Sequence, residues 1–382
     1  MIRAQTWRRW AGHQVASAYD PQPDREYAAI RNAAALIDVS PLYKYLVTGR
    51  DAVRLLDRMV TRDVARCAVG QVLYTPWCDA HGKVLDDGTI SRLDAGTYRL
   101  TSAEPNTRWL QLNASGMEVK VEDVSAALGA LALQGPLSRD ILQQVADADL
   151  GPLKYFRLVQ TTVRDVSVTI TRTGYTGDLG FEIWVPADRA VAVWDALIDA
   201  GTAYGIVPAG IWALDIARIE AGLIMLDVDY VSAHHALIED QTSTPYEINL
   251  GWAVNDPKGP FNGQAALRRQ KQRGQRWHFV GLEVDWVSFE RLHQERGLAP
   301  HVPSIAWRAS HPILSDGKQI GYATSGTWSP LLKKYLALGH VEATHAAPGT
   351  VVELELTVEH RRQRPAATIR KLPFFDPPRK RA

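Results

Sequence analysis

Arg172–Val185, RTGYTGDLGFEIWV, is the stretch from which the fold is read. Gly174, Gly177 and Gly180 fall close together, among two threonines and a tyrosine. Glycines at that density let a backbone turn tightly and approach another surface closely. After Gly180 the chain alternates Phe181, Glu182, Ile183, Trp184, Val185. That period predicts a strand with Glu182 and Trp184 on one face. A carboxylate leaving a glycine-rich turn can bind a polar heterocycle through two hydrogen bonds. A β-hairpin whose glycines serve only the turn satisfies the same pattern.

The chain has 382 residues, enough for two or three domains, and its 46% hydrophobic content is ample for their cores. With 43 basic against 42 acidic residues, its charge points to neither nucleic acid nor an acidic membrane as partner. No apolar run reaches the roughly 18 residues of a membrane span. MIRAQTWRRWAGHQ has no secretory apolar region, so a cytoplasmic location is expected. Cys67 and Cys78 are too few for a disulfide framework or a structural zinc site. His234 and His235 lack further ligands at metal-site spacing, so no metal is expected.

Taken in order, residues 24–38 are expected to form a helix with Tyr27, Ile30, Ala34 and Ile37 near one face. Val53, Leu55, Leu56 and Met59 mark a second helix. Strands follow over 72–77, 84–93 and 97–101, joined by the turn chemistry of DAHG and DAG. Asp86 and Asp87 lie in the middle strand, where alternation lets only one of them point into a pocket. Two surface aspartates satisfy the same pattern. Ile211, Leu214, Ala217, Ala221 and Met225 form a helical apolar stripe, on which Asp215 and Arg218 are spaced as a structural ion pair. Residues 261–274 read as a basic exposed helix, and PRKRA as a frayed basic tail.

RTGYTGDLGFE resembles the glycine cleavage T-protein (aminomethyltransferase) family motif RTGYTGEDGFE. The likeness extends to LDDG (family GGILDDL), ALQGP, RIEAG (family RLEAG), GYATSGTWSPLLKKYLALGHV (family GEVTSGTFSPSLKKNIALGYV) and LPFF near the end. It runs from about residue 10 to residue 375. It implies an α+β, three-domain fold around a central folate cleft: residues 1–46 plus 128–258 as a discontinuous folate-binding α/β domain, 47–127 as an inserted α/β domain carrying Asp87, and 259–382 as a β-barrel domain. Tetrahydrofolate is the implied cofactor. Asp87 inherits the catalytic carboxylate and Glu182 the pterin anchor. Tyr175 and Tyr74 border the folate, Ser102 stands where the family has a pterin-binding asparagine, and Trp252 lines the cleft. A carboxylate at Asp87 can hold or take a proton at a folate nitrogen and stabilise positive charge on an activated carbon.

The donor side departs from the family. The histidine of DVSHMG is Pro41, followed by Leu42, and the arginine of GARD is Leu214. Gly88 replaces a leucine, and residues 231–240 are extra. Leucine cannot form the charged bidentate bond of an arginine. The resemblance therefore implies a methyl transfer from a small methylated donor to N5 of tetrahydrofolate, as in the family's demethylases. Tyr43, Leu214 and Tyr230 are the candidate substrate-side residues, with Tyr43, Tyr175 or Tyr230 as proton donor. Two other readings remain: an aminomethyltransferase working with a lipoylated carrier protein, for which Lys333 and Lys334 would offer a docking charge, and a folate-binding protein without turnover.

Overall fold

The computed structural model describes residues 6–382. Three layered units follow from the sequence periodicities, and the fold is α+β.

The first unit is a six-stranded sheet in the order Leu158–Val163, Val166–Thr171, Gly180–Pro186, Leu128–Gln134, Ala35–Asp38, Val207–Pro208. All pairings are antiparallel except the last. Alternation along Gly180–Pro186 sends Phe181, Ile183 and Val185 into one core with Leu131 and Leu133, under helices Ser138–Gln143 and Ala190–Gly201. Trp184 faces the opposite side, packed with Ile37, Ala130 and Ala132 against helices Asp24–Asn32 and Ile211–Glu220. Each fully buried large apolar side chain contributes roughly 1.5–3 kcal/mol to this sandwich. The helix expected over 24–38 stops at Asn32. Residues 35–38 instead pair in full register with 131–134. The apolar run ALID sits between two strands, and ladder bonds on both of its edges outweigh its helical spacing.

The second unit is a fully antiparallel five-stranded sheet: Val72–Cys78, Val84–Arg92, Thr97–Ser102, Tyr43–Thr48, Lys120–Asp123. One face is apolar (Tyr45, Val47, Trp77, Leu85, Ile90, Tyr98, Leu100) and is covered by helices Ala52–Met59 and Thr107–Asn113. The boundary read at 46/47 falls inside Tyr43–Thr48, a strand whose pairing lies wholly within this second sheet. The third unit is a closed barrel of Trp277–Val284, Lys334–Glu342, Lys318–Ser329, His311–Ser315, Val351–Leu354 and Ala366–Arg370. Among the described residues no helix is long and apolar enough to cross a membrane.

The carboxy-terminal segment is not frayed. Arg379 donates to both oxygens of buried Asp178, at 2.6 and 2.9 Å. Arg172 reaches the carbonyls of Leu153 and Ala382. A buried carboxylate requires such partners, so the basic tail straps the glycine-rich loop. Arg379→Ala is expected to cost only about 1 kcal/mol, because the guanidinium is partly exposed and Arg31 still approaches Asp178 at 3.4 Å. The same variant should exchange the amide hydrogens of residues 174–179 faster, and unchanged exchange there would rule out the strap.

Candidate active site

The five-stranded sheet turns a polar face toward the Trp184 side of the six-stranded sheet. Asp87 and Thr89 alternate along Val84–Arg92, while Arg99 and Thr101 lie on the next strand. Thr89 and Thr101 join through their hydroxyls at 2.6 Å, and Tyr74 pairs with Thr89 from the other side. The two walls meet where the Arg99 guanidinium lies 4.0 Å over the Trp184 ring.

Asp87 is held at both oxygens by phenols. Tyr74 donates to Oδ2 at 2.6 Å and Tyr230 donates to Oδ1. Burial pushes the Asp87 carboxyl above the ordinary range, and the two hydroxyls partly counter it by solvating the anion. Both phenols are raised well above their usual value, first by burial and then by the Asp87 charge, so they remain donors at neutral pH. Asp86 points to the other face, as alternation requires. It accepts from the Glu104 amide and Asn106 Nδ2, both at 3.0 Å. Asp86 is therefore a brace and Asp87 the cleft carboxylate.

Glu182 shares a strand face with Trp184. Thr173 donates its hydroxyl to Glu182 Oε2 at 2.5 Å. Burial raises the Glu182 carboxyl, while Thr173 and the nearby Arg99 charge pull it down. Arg99 itself is 2% exposed and pushed down to about 9 by burial, with Glu182 opposing the shift. The glycines of the loop serve close packing within the protein. A β-carbon on Gly174 would lie 2.0 Å from Gln134 Oε1. Gly177, at φ +72°, would place one 2.4 Å from the Ala221 β-carbon. Gln134 in turn donates to the carbonyls of Thr173 and Phe181 and accepts from Thr176, which fixes the turn feeding Glu182.

Of the other sequence candidates, Tyr175 lies beside this site with its hydroxyl donated to the Ile224 carbonyl, and burial raises its phenol. Trp252 is 62% exposed and stacks on Tyr74 at 6.2 Å, with Arg62 over its ring at 5.4 Å. It stands at the mouth of the site and not in a core. Leu214 is buried in the apolar cluster that also holds Trp184, Leu42 and Tyr175. Two candidates fall on the wrong face. Ser102 and Tyr43 oppose each other across the ladder, away from Asp87. Ser102 donates to the Glu104 carbonyl at 2.7 Å, and Tyr43 packs on the apolar core beneath the sheet. The cleft position is Thr101, one residue earlier, because a one-residue shift along a strand reverses the face. His234 lies edge-on to Trp109 and His235 pairs with Glu104 at 3.0 Å. Lys334 pairs with Glu283 at 2.8 Å.

Residues 231–240 are anchored to the strand that carries Asp87. The Ala233 amide donates to the Val84 carbonyl at 2.9 Å and the Ser232 hydroxyl to the Leu85 carbonyl at 2.6 Å. Just before them, Asp229 is clamped by the barrel. Thr324 and Ser325 donate to its Oδ1 at 2.5 and 2.9 Å, and Arg218 reaches Oδ2 at 2.5 Å. Asp215, 3.5 Å from Arg218, takes the bidentate fork of Arg308 at 2.7 and 3.0 Å. The expected Asp215–Arg218 pair is thus one edge of a network joining the first unit to the barrel. Arg99 and Thr101 were given no role from the sequence. Extending the alternation from Asp87 across the neighbouring strand would have reached both.

Comparison with known proteins agrees with this architecture. The family model of the GCVT N-terminal domain matches residues 1–258, and that of the glycine cleavage T-protein C-terminal barrel domain matches residues 296–376. The chain is 35% identical to an aminomethyltransferase of Halothermothrix orenii, over 92% of this chain and 90% of that protein. It is 36% identical to an aminomethyltransferase of Moorella thermoacetica, over 93% and 90%. The crystal structure of the glycine cleavage system aminomethyltransferase T from Bartonella henselae superposes with a TM-score of 0.82 at 27% identity, covering 97% of this chain and 94% of that one. Matched by both domain models of that family and more than one-third identical to its aminomethyltransferases over nine-tenths of its length, the chain belongs to the glycine cleavage T-protein family.

Proposed function

We propose that the protein is a tetrahydrofolate-dependent one-carbon transferase that takes a methyl group from a small methylated donor. The observation that carries this reading is Asp87 held between the hydroxyls of Tyr74 and Tyr230, near Tyr175 and on the wall facing Glu182. The residues fit a pterin. Glu182 offers a carboxylate to paired N–H donors, and Arg99 Nε and Nη2 are buried with no partner among the described residues. Tetrahydrofolate, when bound, supplies a nucleophilic nitrogen that accepts the one-carbon unit.

The chain's own work is positional and electrostatic. Glu182 anchors the heterocycle and fixes its distance from Asp87. Asp87 opposes positive charge near the transferring carbon and holds a proton when one is released there. Tyr230, whose hydroxyl is bonded to Asp87, is the proposed donor of a proton to a leaving heteroatom. The apolar surroundings of Leu214 suit a donor without an anionic group at that position.

Titration with tetrahydrofolate should give saturable binding that Glu182→Ala weakens by about 10–100-fold, the worth of hydrogen bonds to a charged group. Incubation with N-, O- or S-methylated compounds should convert tetrahydrofolate to its 5-methyl form. Absence of binding would sink the folate reading. Binding without methyl transfer from any donor would sink the demethylase reading. A second reading is favoured by the names of the relatives: transfer from an aminomethylated lipoyl carrier protein. It predicts methylene-tetrahydrofolate only when that carrier is supplied.

A further inference from the structure

Arg99 is the least satisfied charge in the described molecule's cleft. It is 2% exposed, and neither its Nε nor its Nη2 has a hydrogen-bond partner among the described residues. Those two atoms form the guanidinium edge that reads paired acceptors or a single strong acceptor from the side. The plane of the group is set by the Trp184 ring, 4.0 Å away. Glu182 lies two residues before Trp184, on the same strand face. It senses the Arg99 charge without forming an ion pair with it. Lys44, the other buried cation on this sheet face, is already used by the carbonyls of Ser40 and Ser125 at 2.6 and 3.3 Å. A buried cation with an empty donor edge is costly unless a ligand completes it.

Along the strands, Arg99 pairs with Ser91, four residues beyond Asp87. It therefore serves the Glu182 end of the cleft and not the reacting end. This inference rests on the folate reading above. There, the ring edge next to Glu182 presents an amino group, a ring N–H and then the 4-oxo oxygen. The carboxylate matches the two donors, and the acceptor that follows them needs a donor from the protein.

We propose that Arg99 is the specificity-determining partner of Glu182, donating to the 4-oxo oxygen of the pterin so that the two side chains together read its donor–donor–acceptor edge. The pair would reject a ring bearing a 4-amino group, whose N–H would face the guanidinium donors.

The test compares binding of tetrahydrofolate and of its 4-amino-4-deoxy counterpart to wild type, Arg99→Met and Arg99→Lys. Wild type should prefer the 4-oxo ligand. Arg99→Met should lose about 10–100-fold in affinity for it, as expected for a hydrogen bond to a charged group. The 4-amino ligand should change by less than about threefold, so that the preference narrows by about 10–100-fold and only the part owed to Glu182, which faces an unprotonated N3 in the 4-amino ring, remains. Arg99→Lys keeps the charge and should restore part of the preference. Equal losses for both ligands in Arg99→Met would mean a packing role only and would overturn the proposal, as would an unchanged preference. Failure of wild type to bind tetrahydrofolate would instead overturn the folate reading on which it rests. Circular dichroism of each variant separates loss of fold from loss of recognition.

Discussion

Asp87→Asn should lower turnover by roughly 10²–10⁴-fold, the range for removing an acid–base group, while tetrahydrofolate affinity stays within about threefold. Asparagine keeps the shape of the side chain, and its carbonyl still accepts from Tyr74 or Tyr230, but it carries no charge and takes no proton. A drop in affinity equal to the drop in turnover would place Asp87 in binding instead. The pH dependence has a defined sign. Burial raises the folded carboxyl above its unfolded value, despite the two phenols. Its contribution to stability is then fully present below the unfolded value and is lost as pH rises through the folded one. Activity that needs the anion moves the opposite way and rises through the same folded value. Tyr230→Phe removes a donor that favours the anion, so the acid limb of kcat should shift to higher pH. A shift to lower pH would contradict this arrangement. Asp87→Asn should flatten the wild-type loss of stability over that window, seen as thermal midpoints measured across pH.

Asp229→Ala should have the largest effect on stability, about 3–5 kcal/mol, because it leaves the fully buried Arg218 without its main countercharge. Arg218 would keep only Asp215, at 3.5 Å, and Asp215 is already occupied by Arg308. The hydroxyls of Thr324 and Ser325 and the Met225 amide lose their acceptor at the same time. The damage should reach the chemistry, because Asp229 immediately precedes Tyr230, whose hydroxyl holds Asp87. Urea unfolding followed by tryptophan fluorescence gives the stability term, and kcat at a temperature where the variant is still folded gives the other. A loss below about 1 kcal/mol would show that the barrel does not brace the site through this residue. Asp229→Asn, which keeps acceptors but not the charge, should fall between the two.

The sequence was legible wherever local pattern and tertiary demand agree. The alternation through Phe181–Val185 put Glu182 and Trp184 on one face, and the six-stranded sheet keeps them there. The Asp86–Asp87 pair split across its strand as period two requires. Legibility failed where partners are remote. Residues 35–38 have helical spacing and become a strand through ladder bonds to residues 131–134. Ser102 was one position off the cleft face, since register is set by pairing with Tyr43–Thr48 and Val84–Arg92 and not by the strand itself. The tail read as frayed is ordered by Asp178, far away in the chain.

The sequence by itself determined the glycine turn, the strand that puts Glu182 beside Trp184 and the alternation that splits Asp86 from Asp87, because periodicity and turn chemistry act over a few residues; the α+β class, the barrel and the choice of Asp87 and Glu182 follow from the resemblance to the T-protein family. Tertiary structure alone decided that the glycines of RTGYTGDLGFEIWV approach Gln134 and Ala221, that Tyr74 and Tyr230 share Asp87, that Asp229 ties Tyr230 to the barrel, and that Arg99 meets Trp184 with its donor edge empty. Those contacts join residues tens to hundreds of positions apart, and burial is what gives them their strength: a charge or hydroxyl that water would satisfy in the unfolded chain has, once enclosed, only the partner that folding brings to it.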